Sequence, residues 1–120
     1  MRRPWFRSAA ITLALLLLSG CMSRKEMEEY LRQDLLDIRS AIERYKTDKG
    51  QGPDALDELV RAGYLKQIPK DPCTGKRDWV LNSCEHYKAI PDPEHPERGI
   101  CDVHSACRKE NKHGEPYKDW

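Results

Sequence analysis

Five cysteines and four histidines are the residues of this 120-residue chain best suited to chemistry. Cys84 with His86, or Cys101, His104, Cys107 and His113, could be read as zinc ligands, because thiolates and imidazoles are what zinc prefers. Their spacing contains no C-x2-C pair, and no C-x-x-C-H run exists for covalent haem attachment. A cysteine nucleophile paired with His86 or His104 would need a free thiol and a third group to orient the base. Cys73, Cys84, Cys101 and Cys107 make an even set, which in an exported domain reads as two disulfides rather than as metal ligands or nucleophiles. Three pairings are possible. The local ones, Cys73–Cys84 and Cys101–Cys107, each close a short surface loop and are favoured, with Cys84–Cys101 joining two strands as the competitor. Asp92, Glu94 and Glu97 sit among prolines in a solvated loop, which gives no environment that would separate two carboxyl pKa values for acid–base work. No catalytic constellation, cofactor motif or metal set is therefore expected.

The oxidising compartment follows from the first residues, "MRRPWFRSAAITLALLLLSGCMSRKE". Arg2, Arg3 and Arg7 precede an uncharged, mainly apolar run from Ala9 to Leu18. That run is about half the 20 residues a membrane span requires, so it suits the h-region of a signal peptide. Leu18-Ser19-Gly20-Cys21 resembles the bacterial lipobox. In that reading residues 1–20 are removed, Cys21 becomes the first residue and carries acyl chains, and the lipid tethers the protein to the membrane. Met22 rather than Asp at the next position points to the outer membrane instead of the inner, with the domain facing the periplasm.

Residues 21–120 suffice for one small domain with a thin core, which two disulfides would brace by about 2–4 kcal/mol each. Three of the 21 basic residues lie in the first 20 positions, leaving 18 against 20 acidic ones without long like-charge blocks. No clustered basic face of the kind that binds nucleic acid is visible.

The elements that must position these residues are legible from periodicity. From Ser23 to Lys46, Met27, Leu31, Leu35, Ile38, Ile42 and Tyr45 recur at spacings of three and four, which predicts an amphipathic helix with one buried stripe. "TDKGQGP" ends it. Asp54 is placed to cap a second, short helix with Leu56, Leu59 and Val60 inward and Gly63 as its stop. Trp79 to Leu81 and Tyr87 to Ile90 read as short strands joined by a turn around Ser83 to His86, and Ile100 to His104 as a third strand. The class is α+β, a long helix and a short helix packed on a small antiparallel sheet.

Two blocks carry a family resemblance. "DLLDIRSAIERYKTDKGQGPDALDELVRAGYLKQIPKDPCTGKRDW" and "GICDVHSACRKENKHGEPYKDW" resemble the globular part of type II secretion major pseudopilins and related type IV pilin-like proteins. The family pattern is an amphipathic helix ending near a Tyr, a Gly/Pro turn, a "GYL" element, an "IP-x-DP-x-TG-x-x-DW" segment and a closing "DVHS … G-x-PY-x-(D/E)W". The motif positions here are Pro69, Asp71, Pro72, Gly75 and Trp79 in the first block and Asp102 and Trp120 in the second. The resemblance implies a pilin-like fold over residues 21–120 and a non-enzymatic role in contacts with pseudopilins or other secretion and pilus components. A periplasmic binding module that retains the fold is the alternative. The chain departs from the family twice. Polar residues begin directly after Cys21, where pilins carry an apolar helix of about 20 residues. The stretch from Ala106 to Asp119, which matches the family's calcium loop, offers Glu110, Glu115 and Asp119 among basic residues, a poor set for an ion that takes six to eight oxygens.

Overall fold

A computed structural model of the chain describes residues 22–86 and 98–120. The signal segment, Cys21, the expected strand at Tyr87–Ile90 and the loop carboxylates Asp92, Glu94 and Glu97 lie outside the described residues.

Helix α1 spans Arg24–Lys49. Its start is a capping box: the Glu26 amide donates to the Ser23 hydroxyl, and the Ser23 amide donates to the Glu26 carboxylate. The helix continues past Lys46 to the first residue that can leave it cheaply, Gly50, which adopts φ 76° and donates its N–H to the Lys46 carbonyl. Leu31, Leu35, Ile38 and Ile42, the centre of the predicted stripe, are all buried. Met27 and Tyr45, at the stripe's two ends, pack against the core while remaining partly exposed.

The short helix α2, Leu56–Arg61, corrects the expected cap. Ala55 holds the N-cap position without a side-chain bond, and Asp54 is one residue too early to serve. Instead Glu58, in the first turn, reaches back and its carboxylate accepts the Asp54 N–H. Gly63, at φ 83°, ends the turn as expected, and the amides of Tyr64 and Leu65 both donate to the Leu59 carbonyl.

Strands β1 (Val80–Ser83) and β2 (Ile100–His104) form an antiparallel two-stranded sheet. Val80 faces His104, Leu81 faces Val103 and Asn82 faces Asp102; the register then shifts so that Ser83 faces Ile100, leaving Cys101 as the extra residue of a bulge. A 3-10 turn at Cys84–His86 follows β1. Helix α1 packs its stripe on β2, and Leu56, Leu59, Trp79 and Tyr117 complete one core. The described residues are thus α+β, as the order of patterns predicts.

The linker after α1 is drawn onto β2 by backbone alone. Gly52 donates to the Arg98 carbonyl and Ile100 donates to the Pro53 carbonyl, both at 2.8 Å. The linker and the start of β2 approach so closely that a Cβ on Gly52 would overlap the Ile100 carbonyl, and one on Gly99 the Gly52 carbonyl.

The disulfides are Cys73–Cys107 and Cys84–Cys101. Neither favoured local pairing occurs. β1 lies beside β2, which sets Cys84 next to Cys101 with their Cα atoms 4.8 Å apart, the competing alternative. The Asp71–Gly75 turn folds against the segment after β2, which brings Cys73 to 5.9 Å from Cys107 by Cα. Loop closure was outweighed by tertiary docking in both cases.

Candidate functional site: the clasp between α1 and the closing segment

The motif residues of the two blocks meet in two linked clusters. The first is centred on Asp71, whose side chain is fully buried. One carboxylate oxygen accepts the Cys73 N–H at 2.8 Å and, at 3.4 Å, the Thr74 N–H; the other accepts the Ser105 hydroxyl. Ser105 in turn accepts the Cys107 N–H at 3.0 Å. Asp71 also closes the turn through its main chain, accepting from Gly75 and donating to Lys76. Gly75 takes φ 71°, the conformation for which a glycine is the least strained choice. Pro69 accepts the Trp79 indole N–H at 2.8 Å, so the ring is buried with its one polar atom satisfied. Pro72 sits between Asp71 and Cys73 in a shallow groove beside the start of α1.

The second cluster gathers on the flank of α1. Arg39 donates through Nε to Asp102 at 2.7 Å and through Nη2 to the main-chain oxygens of Val103 and Trp120. His104 places Nδ1 3.1 Å from the same Trp120 oxygen and Nε2 3.4 Å from the second oxygen of Asp102. The Arg32 guanidinium lies 4.3 Å over the Trp120 ring, and Tyr117 packs edge-on against that ring. Tyr117 itself is buried and donates its hydroxyl to Glu28 at 2.6 Å; burial, then this bond, pushes its pKa above the usual phenol value. Glu28, Arg32 and Arg39 fall within about 40° of one another around the helix, a polar rail beside the apolar stripe.

The rail was not identified from the sequence. Its signal was present: three long polar side chains at positions i, i+4 and i+11 on the edge of an apolar stripe, where such residues can reach over the packed surface. Ser105 is the serine of the "DVHS" element, but its bond to Asp71 joins two loops 34 residues apart and nothing local to either indicates it.

Asp34 is a further unanticipated residue. It lies at the edge of the apolar stripe, half-buried, beside a groove walled by Ser40, Arg44, Tyr64 and Pro69. Burial, with Asp37 and then Asp71 adding like charge, raises its pKa from 3.8 to about 6. Between α1 and the α2 segment, Tyr45 donates to Glu58 and Tyr64 to Asp48, and those bonds raise both phenol pKa values.

The cysteines placed in the zinc and nucleophile readings are all in disulfides, and His104 faces Asp102 and Trp120 rather than a thiol. Among the described residues, no group of three or more His, Cys, Asp or Glu side chains converges as metal ligands would. In the Ala106–Asp119 stretch, Asn111 organises the turn: its side-chain oxygen accepts from the amides of His113 and Glu115, and its amide nitrogen donates to the Glu115 carboxylate. Glu110 pairs through its backbone with Pro116, and Asp119 is exposed. The clusters therefore bind and orient parts of the chain itself. No helix among the described residues is long and apolar enough to cross a membrane. No family model, curated protein or solved structure matches the chain.

Proposed function

We propose that this chain is a non-enzymatic, lipid-anchored, pilin-like protein that works through protein–protein contacts at a type II secretion or type IV pilus-type machine. The observation that carries the reading is that the residues of the two motif blocks act as one scaffold. Asp71 and Pro69 hold the first block, Asp102 and Trp120 hold the second, and both are fastened to α1 or to each other. The long helix laid over a small antiparallel sheet accords with a pilin-like head. Cys21 is two residues before Ser23, the cap of α1, so a lipid there would tether the head by the helix end in place of an apolar helical stem.

The experiment is recovery of the full-length protein from bacterial membranes after in-cell crosslinking, with intact-mass analysis of the extracted chain. The expected result is a chain beginning at acylated Cys21, crosslinked to pilin-like or secretin components. An unacylated chain would overturn the anchor, and an acylated chain without any such partner would overturn the assembly role. Asp34 supports one other reading: a half-buried carboxyl of raised pKa beside a groove suits a periplasmic module that binds a ligand of its own.

A further inference from the structure

We propose that His104 is a proton-operated latch that tightens the closing segment against β2 as the pH falls. Its ring is faced on both sides by acceptors. Nε2 is 3.4 Å from a carboxylate oxygen of Asp102, and Nδ1 is 3.1 Å from the Trp120 main-chain oxygen. A neutral imidazole carries a single N–H, so in either tautomer it donates to one of these oxygens and turns a lone pair toward the other. The protonated ring carries two N–H groups and donates to both. The Trp120 oxygen accepts in the same way whether it belongs to a peptide carbonyl or to a terminal carboxylate. Imidazole is the side chain whose charge changes between about pH 5 and 8, a range that compartments open to the surroundings experience.

The charges around the ring fit this role. Asp102 lies on the same strand, and the Arg39 guanidinium reaches in from α1 and is bonded to both acceptors. Arg32 stacks on the Trp120 ring, and Lys118 and Asp119 beside Trp120 are exposed. β1 faces His104 with Val80 and contributes no charge. Arg39 thus fastens Asp102 and Trp120 at any pH, and His104 adds a second link between the same two residues only when charged. The segment so held includes Tyr117 and Trp120, which cover part of the core.

The test is nuclear magnetic resonance of the isotope-labelled full-length chain between pH 8 and 5. The ring nitrogens of His104 are followed directly, together with the backbone order of Trp120 and its indole N–H. The expected result is that both His104 nitrogens become protonated as the pH falls, with the Trp120 backbone stiffening and its indole resonance shifting along the same curve. In His104→Gln, which keeps a donor and an acceptor, the Trp120 changes with pH disappear. Asp34→Asn, which removes a carboxyl whose pKa burial raises to about 6, leaves them in place. A Trp120 response that persists in His104→Gln overturns the proposal, as does a wild-type Trp120 that stays unchanged while His104 titrates. The wild-type measurement alone is decisive should the variant fold poorly.

Discussion

Asp71 and Ser105 are hydrogen-bonded at positions that each lie two residues before a partner of the Cys73–Cys107 disulfide. The same two loops are therefore joined twice, once by a covalent bond and once by a buried carboxylate that orders the amides around it. The Ser105 hydroxyl donates to Asp71 and accepts from Cys107, and this double use makes it hard to replace.

Ser105→Ala leaves one oxygen of a fully buried carboxylate and one amide without their partner. A loss of about 1–3 kcal/mol is expected in denaturant unfolding, with the disulfides intact. Asp71→Ala, which strips three donors at once, should cost more than Ser105→Ala. Equal stability of Ser105→Ala and wild type would show that the hydroxyl bond contributes nothing.

Asp34 gives a stability dependence on pH with a definite sign. Its carboxyl holds a proton up to about pH 6 in the folded chain, against an ordinary value of 3.8 once unfolded. Between those limits the folded state binds the extra proton, so stability rises as pH falls from about 6 toward 4, and the penalty stands in full above 6. Asp34→Asn should raise stability at pH 7 by on the order of 1 kcal/mol, the shift being discounted for solvent screening at a half-buried site. It should also flatten the pH profile from 4 to 6. Thermal melts across that range in both proteins check it, and a parallel pair of profiles would refute the assignment.

Gly52→Ala and Gly99→Ala should each destabilise by more than a surface substitution does, because the new methyl meets a backbone carbonyl that cannot move without parting the linker from β2. Gly99 also has φ 85°, which adds strain for any residue with a Cβ. Gly50→Ala is the control: its Cβ meets nothing, so only the positive φ counts, at about 1 kcal/mol. Equilibrium unfolding of the three variants should rank them with Gly50→Ala least affected.

Arg39→Met keeps the aliphatic stem over the core edge but removes the donors to Asp102, Val103 and Trp120. Hydrogen exchange should then show faster opening of the closing segment, with the amides of α1 around Leu31 and Leu35 little changed. Uniform loss of protection across both would mean that the clasp is not a local unit.

Non-reducing peptide mapping should recover Cys73 with Cys107 and Cys84 with Cys101. Peptides joining Cys73 to Cys84 would contradict the fold, since β1 separates those two residues.

How far the sequence reached depended on whether a feature repeats along the chain. The α1 stripe was legible because each of Leu31, Leu35, Ile38 and Ile42 faces the same core, and the α2 stop was legible because Gly63 does a job that few residues do. The α2 start was misread by one residue: Asp54 has the composition of a cap, yet the Gly52–Pro53 backbone is committed to β2 and delays the helix to Leu56. The disulfide pairing was misjudged because it depends on which loops dock, and sequence separation is a weak guide when 34 residues are bridged as readily as 17. The clasp was largely invisible for the same reason. Arg39 and Trp120 are 81 residues apart, and nothing local to either indicates the other.

The two disulfides are nested: the ring closed by Cys73 and Cys107 contains the ring closed by Cys84 and Cys101. A protease that cuts once anywhere from residue 74 to 106 therefore severs no fragment from the chain. One bond still runs around the break, and a cut between Cys84 and Cys101 is spanned by both. Only a cut outside the larger ring divides the protein, either before it, in α1 and the linker to Pro72, or after it, in the closing segment from Arg108 to Trp120. A single cleavage of the oxidised protein within the rings should accordingly leave the full-length mass plus one water, with the two pieces separating only on reduction.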